Sequence, residues 1–207
     1  QRFVADDPPP ALVNRMAATF MKTDGDLRQV MATMIDSPEF WNPQYERDKV
    51  KSPLEMVVSA VRGLGAEVGN PARLTQVIAQ MGQPLYGKEP PTGYKNVGDA
   101  WVSSSGLIAR LNFALQLARN QVPGVQVDLT QFASGEDRLP TVEQNMFQGL
   151  LHGQASPQTT ATIERELART PDGTAGTAEM SNPVPASPAQ VQLIAGLVLG
   201  SPDFQKR

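Results

Sequence analysis

The chain has 207 residues, of which 40% are apolar and 19% charged, with one histidine, no cysteine and a formal net charge of −3. This composition suits a globular chain with a core, and it excludes whole function classes: a nucleic-acid binder carries a large basic excess, disulfide and thiolate chemistry need cysteine, and most zinc sites need about three or four His or Cys ligands. No run reaches the ~18 apolar residues of a membrane span, and 17 Gly with 18 Pro predict short helices separated by many ordered turns.

The first residues, Gln1-Arg2-Phe3-Val4, run into Ala5-Asp6-Asp7 and then Pro8-Pro9-Pro10. This reads as the tail of an earlier helix entering a proline-fixed turn. The expectation is a single all-α domain over 1–207, the C-terminal fragment of a longer protein whose N-terminal half packs against it. Apolar spacing and cap residues predict helices over about 11–22, 26–36, 53–64, 71–81, 97–119, 140–152, 157–169 and 188–199. In the first, exposed Leu12, Val13, Met16 and Phe20 would mark the docking face of that missing half. The second offers Leu27, Val30, Met31, Met34 and Ile35 at helical spacing, with Asp24 as its cap. Ser52-Pro53-Leu54-Glu55 and Ser187-Pro188-Ala189-Gln190 are capping boxes with Pro at the first helical position, and Ser156-Pro157 is a third such start. Residues 107–117 are apolar almost all round, broken by Arg110, Asn112 and Gln116, and are expected to form the central buried helix.

Strand patterns are nearly absent. The one short candidate, Val122 to Val127, holds a Pro and a Gly that argue against a paired central strand. The fold class is therefore all-α, an irregular multi-helix bundle with long Pro/Gly-rich loops. Ser37-Pro38-Glu39-Phe40 and Ser201-Pro202-Asp203-Phe204 repeat one device at the end of an apolar helix. Pro stops the helix, Ser caps the next turn, the acid sits at that turn's positive end and Phe folds back onto the core. Of the two long loops, 82–95 is expected to be ordered by its aromatic residues. The small, polar stretch 170–185 is expected to be mobile.

Several segments together resemble a known family: Arg2-Phe3-Val4-Ala5-Asp6-Asp7-Pro8-Pro9, Ser37 to Trp41, Lys51-Ser52-Pro53, Gly82 to Gly87 with Pro90 to Tyr94, Trp101, and Arg110 to Phe113. In order and spacing the chain is similar to the C-terminal half of a large bacterial family, domain of unknown function 1800. The resemblance implies an all-α protein, exported to the periplasm or secreted, and encoded beside a sulfatase-like partner. It implies no reaction.

The loop from Gly82 to Tyr94, with Trp101 after it, is the leading binding candidate. Rings of Tyr86, Tyr94 and Trp101 held on a rigid turn can stack on sugar or peptide faces, and Lys88 and Glu89 can hydrogen-bond beside them. The plainer reading is that these rings staple the loop to the helices beneath. Arg110 and Asn112, set in an apolar helix, either hold a loop in place or line a pocket. His152 ends a helix and reads as a C-terminal cap rather than a general base, since no nucleophile motif accompanies it. Asp6-Asp7 and Asp24-Gly25-Asp26 read as turn and cap acids rather than a calcium loop, because the twelfth position from Asp24 is Ile35. Glu46 with Asp48 and Glu136 with Asp137 read as solvated pairs, and the methionines as core filler rather than a copper site. No metal or cofactor is expected. The expected function is a scaffold or binding module for a partner protein or a polysaccharide. The alternative is part of a hydrolase-type enzyme whose catalytic residues lie mainly upstream.

Overall fold

Side chains set most of the helix starts. A computed structural model describes residues 1–169 and 185–207; the loop expected to be mobile falls almost wholly outside the described residues. The first two helices are α1, Pro10–Lys22, and α2, Leu27–Ile35. The cap of α2 is Asp26, whose carboxylate accepts from the N–H groups of Arg28 and Gln29. This corrects the assignment to Asp24, which lies in the turn at φ +53. A capping side chain must stand next to the first helical residue on extended backbone.

Ser52 and Glu55 close a full capping box on α3, Pro53–Gly63, and Ser187 with Gln190 do the same for α8, Pro188–Gly200. Between them lie α4, Ala72–Gln80, α5, Ser104–Ala118, α6, Leu139–Leu151, and α7, Pro157–Arg169, with a last short helix α9, Pro202–Gln205. The expected helix over 97–119 is shorter at its start. Residues Gly98–Ala100 form a 3-10 turn, and extended Ser103 caps α5 by accepting from Gly106 N–H. The Gly98 N–H donates to the Asp6 carboxylate, which ties this turn to the segment before α1.

The all-α expectation holds. Two two-residue strands, β1 at Glu67–Val68 and β2 at Val125–Gln126, pair antiparallel. The segment judged unfit for a central strand supplies only one edge of this two-residue pairing, steadied by Asn120, whose side-chain amide bonds both the N–H and the carbonyl of Val127.

The main core is built on the α5–α8 contact, with α6, α7 and α9 packed on α8 and with α3 and α4 on α5. Helix α8 takes the central place expected of 107–117: Val191, Ile194, Ala195, Gly196, Val198 and Leu199 are all buried. Helix α5 buries Arg110, Phe113, Ala114, Leu117 and Ala118 but leaves Leu107, Ile108 and Leu111 exposed at 43%, 61% and 40%. An apolar sequence fixes no direction of burial when a neighbour is more apolar still.

A second, smaller core lies within the α1–α2 hairpin. Val4, Ala5, Leu12 and Met34 form it, with Met16, Met31, Phe40 and Tyr45 against them. Of the residues expected to show a docking face, Leu12 is buried and Met16 partly so, whereas Val13 and Phe20 are exposed.

The repeated Ser-Pro-acid-Phe device folds the same way twice. The Ser37 hydroxyl donates to the Met34 carbonyl and accepts from Phe40 N–H; Ser201 donates to Val198 and accepts from Phe204 N–H. Each acid also ties a second helix, Glu39 by an ion pair with Arg15 of α1 and Asp203 by accepting from Ser156 N–H before α7.

Candidate functional site

The 82–94 loop is held by its own turns and by Tyr94. Its hydroxyl donates to the Pro84 carbonyl at 2.7 Å, and its ring lies 5.7 Å from that of buried Trp101. Lys88 Nζ sits 5.5 Å from the Tyr94 ring, while Glu89 is exposed. Tyr94 and Trp101 therefore staple the loop. Tyr86, at φ +60, projects fully into solvent. The structure brings Lys88, Tyr94 and Trp101 together and leaves Tyr86 and Glu89 outside that contact.

Arg110 and Asn112 part company. Asn112 is exposed, and Arg110 is 1% exposed, with Nη2 donating to the Lys51 carbonyl at 2.8 Å and Nη1 to Gln205 Oε1 at 3.5 Å. Its Nε has no partner, and burial holds its pKa below the ordinary value. Arg110 thus holds the segment before α3 against α9, the positioning role, and does so through carbonyls rather than a carboxylate.

That clasp lies behind a cleft of about 510 Å³ that sequence reading missed. Residues 49–51 run antiparallel to 205–207, with Lys49 N–H donating to the Arg207 carbonyl, Arg207 N–H to the Lys49 carbonyl and Lys51 N–H to the Gln205 carbonyl. Alternation along extended backbone puts Lys49 and Lys51 on one side and Val50 on the other, where Val50 packs near Gly98. Six cations line the cleft: Arg2, Arg47, Lys49, Lys51, Lys206 and Arg207. Glu46 and Asp203 are its acidic residues, and Phe3, Val4, Leu150 and Phe204 give it apolar wall. His152 also lines it, from the αL position that ends α6 at φ +55; there Gly153 N–H donates to the Phe147 carbonyl. The C-terminal placement of His152 is as read.

The cations differ in how far they are neutralised. Lys49 is buried and ion-paired with Asp6. Burial pushes the Asp6 carboxyl up, but the Gly98 N–H and Lys49 outweigh it and hold it below its ordinary value. Arg2 and Arg207 share Glu55 at 3.1 and 3.4 Å. Burial again opposes ionisation of Glu55 and is outweighed, here by the Ser52 N–H, Arg207, the Ser52 hydroxyl and Arg2. Arg47 donates to the carbonyls of Leu151 and Gln154, at the negative end of α6. Lys51 Nζ donates to the Phe204 carbonyl and stands 3.9 Å from the centre of the Phe204 ring. Such a site can hold an anionic group at its rim and apolar surface against its wall.

Among the described residues no group of three or more His, Asp or Glu could hold a metal ion, and no helix is long and apolar enough to cross a membrane. A family model described as protein of unknown function (DUF1800) matches residues 1–206. No curated protein and no solved structure matches the chain.

Proposed function

The chain belongs to the DUF1800 family, and we infer from its cleft that it is a helical binding module for an anionic ligand. One observation carries this reading: six Lys and Arg residues line one concavity with Glu46 and Asp203, and although Asp6 and Glu55 pair with Lys49, Arg2 and Arg207, the lining is cationic in a chain whose net charge is −3. Clefts lined by one sign of charge concentrate the opposite ion, and Arg and Lys at a rim bind carboxylate or sulfate groups.

Shape selects among ligands. A concavity of about 510 Å³ is the size of a small-ligand site, whereas a stable protein partner covers ~800 Å² of mostly flat surface. The reading is therefore an acidic polysaccharide, one charged unit of which enters the cleft, met by an exported protein in the periplasm or outside the cell.

The test is titration with a uronic acid oligosaccharide and its neutral counterpart, for wild type and for Lys206→Glu with Arg47→Ala. The acidic sugar should bind, weaken as salt rises from 50 to 200 mM, and lose roughly fivefold or more in the double variant. Equal binding of the neutral sugar, or an unchanged double variant, removes the cleft as the site. Binding of an acidic peptide instead of the sugar transfers the site to a protein partner.

A further inference from the structure

We propose that Lys51 is the reactive amine of the cleft and forms an imine with a small aldehyde or keto acid that enters it. The proposal rests on the anionic-ligand reading only for the acid group of that compound.

Lys51 differs from its neighbour two residues away. Lys49 is buried and neutralised by Asp6, whereas among the described residues no carboxylate forms an ion pair with Lys51. Its side chain lines the cavity, with Nζ between the Phe204 carbonyl and the Phe204 ring. Its backbone is fixed on both sides, the N–H by the Gln205 carbonyl and the carbonyl by the buried Arg110 guanidinium. The charged groups that bear on it are Arg47 from the preceding loop, Arg207 from the chain's last residues and Glu55 from α3.

Burial is the first cause that disfavours the ammonium, Arg47 and Arg207 add to it, and Glu55 opposes, leaving the pKa lowered to about 8. An ordinary lysine at pH 8 is less than ~1% neutral amine, so Lys51 presents on the order of a hundredfold more of the nucleophilic form. In the step itself, the amine lone pair adds to the carbonyl carbon. The addition product then loses one water, which carries off the carbonyl oxygen and both amine hydrogens, and a C=N bond remains. No oxidant or reductant takes part. Arg47 and Arg207 line the same cleft, and a guanidinium released from its present partner suits the acid group of a keto acid.

The experiment treats the whole wild-type chain with glyoxylate and cyanoborohydride between pH 6 and 10, then maps the label over its six lysines. Acetaldehyde replaces glyoxylate in a parallel series, and binding of glycolate, which has no carbonyl to attack, is followed by NMR. Lys51 should be labelled at least ~10-fold faster than any other lysine at pH 8, with a midpoint near its own pKa. Lys51→Arg, which keeps the charge, should lose that label with an unchanged circular dichroism spectrum. Labelling spread evenly over the lysines overturns the proposal; if glycolate still binds, the anionic cleft stands without it. Preferential labelling of Lys51 by both aldehydes alike, with no glycolate binding, supports the amine and removes the anionic cleft.

Discussion

Asp6 joins three parts of the molecule that are distant in sequence: its own turn before α1, Lys49 on the cleft and the Gly98 turn before α5. Its carboxyl, with those of Glu55 and Asp203, is held below its ordinary pKa. For an acid with a depressed folded pKa the stabilisation is complete above the unfolded value and is lost as pH falls through the folded one. The loss of urea midpoint due to these three acids should therefore set in at about pH 4 and deepen below it. Glu143 on α6 runs the other way: burial first, then Glu164, raises its pKa. Its ionisation costs stability at neutral pH, so Glu143→Gln should raise the urea midpoint at pH 7 and leave it unchanged near pH 3. An equal effect at both pH values would assign the gain to packing instead.

At the scale of elements, α8 meets α5 through glycine. A Cβ at Gly196 would lie 2.7 Å from Leu115 Cδ2 and 3.1 Å from the Leu115 Cα, so the backbones themselves are close; at Gly200 the near contact is Leu111 Cδ1 at 2.6 Å, the end of a half-exposed side chain, with the next at 3.9 Å. Gly196→Ala should cost about 1–3 kcal/mol, since overpacking exceeds the gain in helix propensity, whereas Gly200→Ala should be near neutral because Leu111 can turn outward. Urea unfolding of the two variants checks this, and equal costs would refute the close approach. The helices themselves were legible because their starts are written locally: Ser52 with Glu55, Ser187 with Gln190 and Ser156 each sit beside the residues they cap. The start of α5 was not, because it is Ser103 that caps it, through Gly106 N–H, while the turn before it is pinned by Asp6, 92 positions away from Gly98.

Across the whole molecule the same distinction governs the site. The aromatic loop was visible as Tyr86, Tyr94 and Trp101 within one short stretch, and two of the three turned out to be its fasteners. The cleft was invisible because Lys49 and Lys51 meet Lys206 and Arg207 only after the chain has folded, and each basic pair alone looks like solvated surface. The repeated serine turns carried a stronger signal, both hydroxyls being placed alike. Two cores follow from this architecture, and they need not melt together. Native-state hydrogen exchange should find α1 and α2 opening at a lower free energy than α5 and α8. Asp6→Asn should widen that gap by about 1–3 kcal/mol, since it leaves Lys49 buried with its charge unmatched; uniform protection across all these helices would show a single cooperative unit.

The Asp6 contact has a mechanical meaning as well. Phe3 and Val4, which line the cleft, belong to the segment that the carboxylate pins down, and Val4 is also part of the hairpin's own core. One acid thus couples the posture of the hairpin to the wall of the cavity. Loss of that carboxylate would therefore be felt at the cavity wall as well as inside the hairpin.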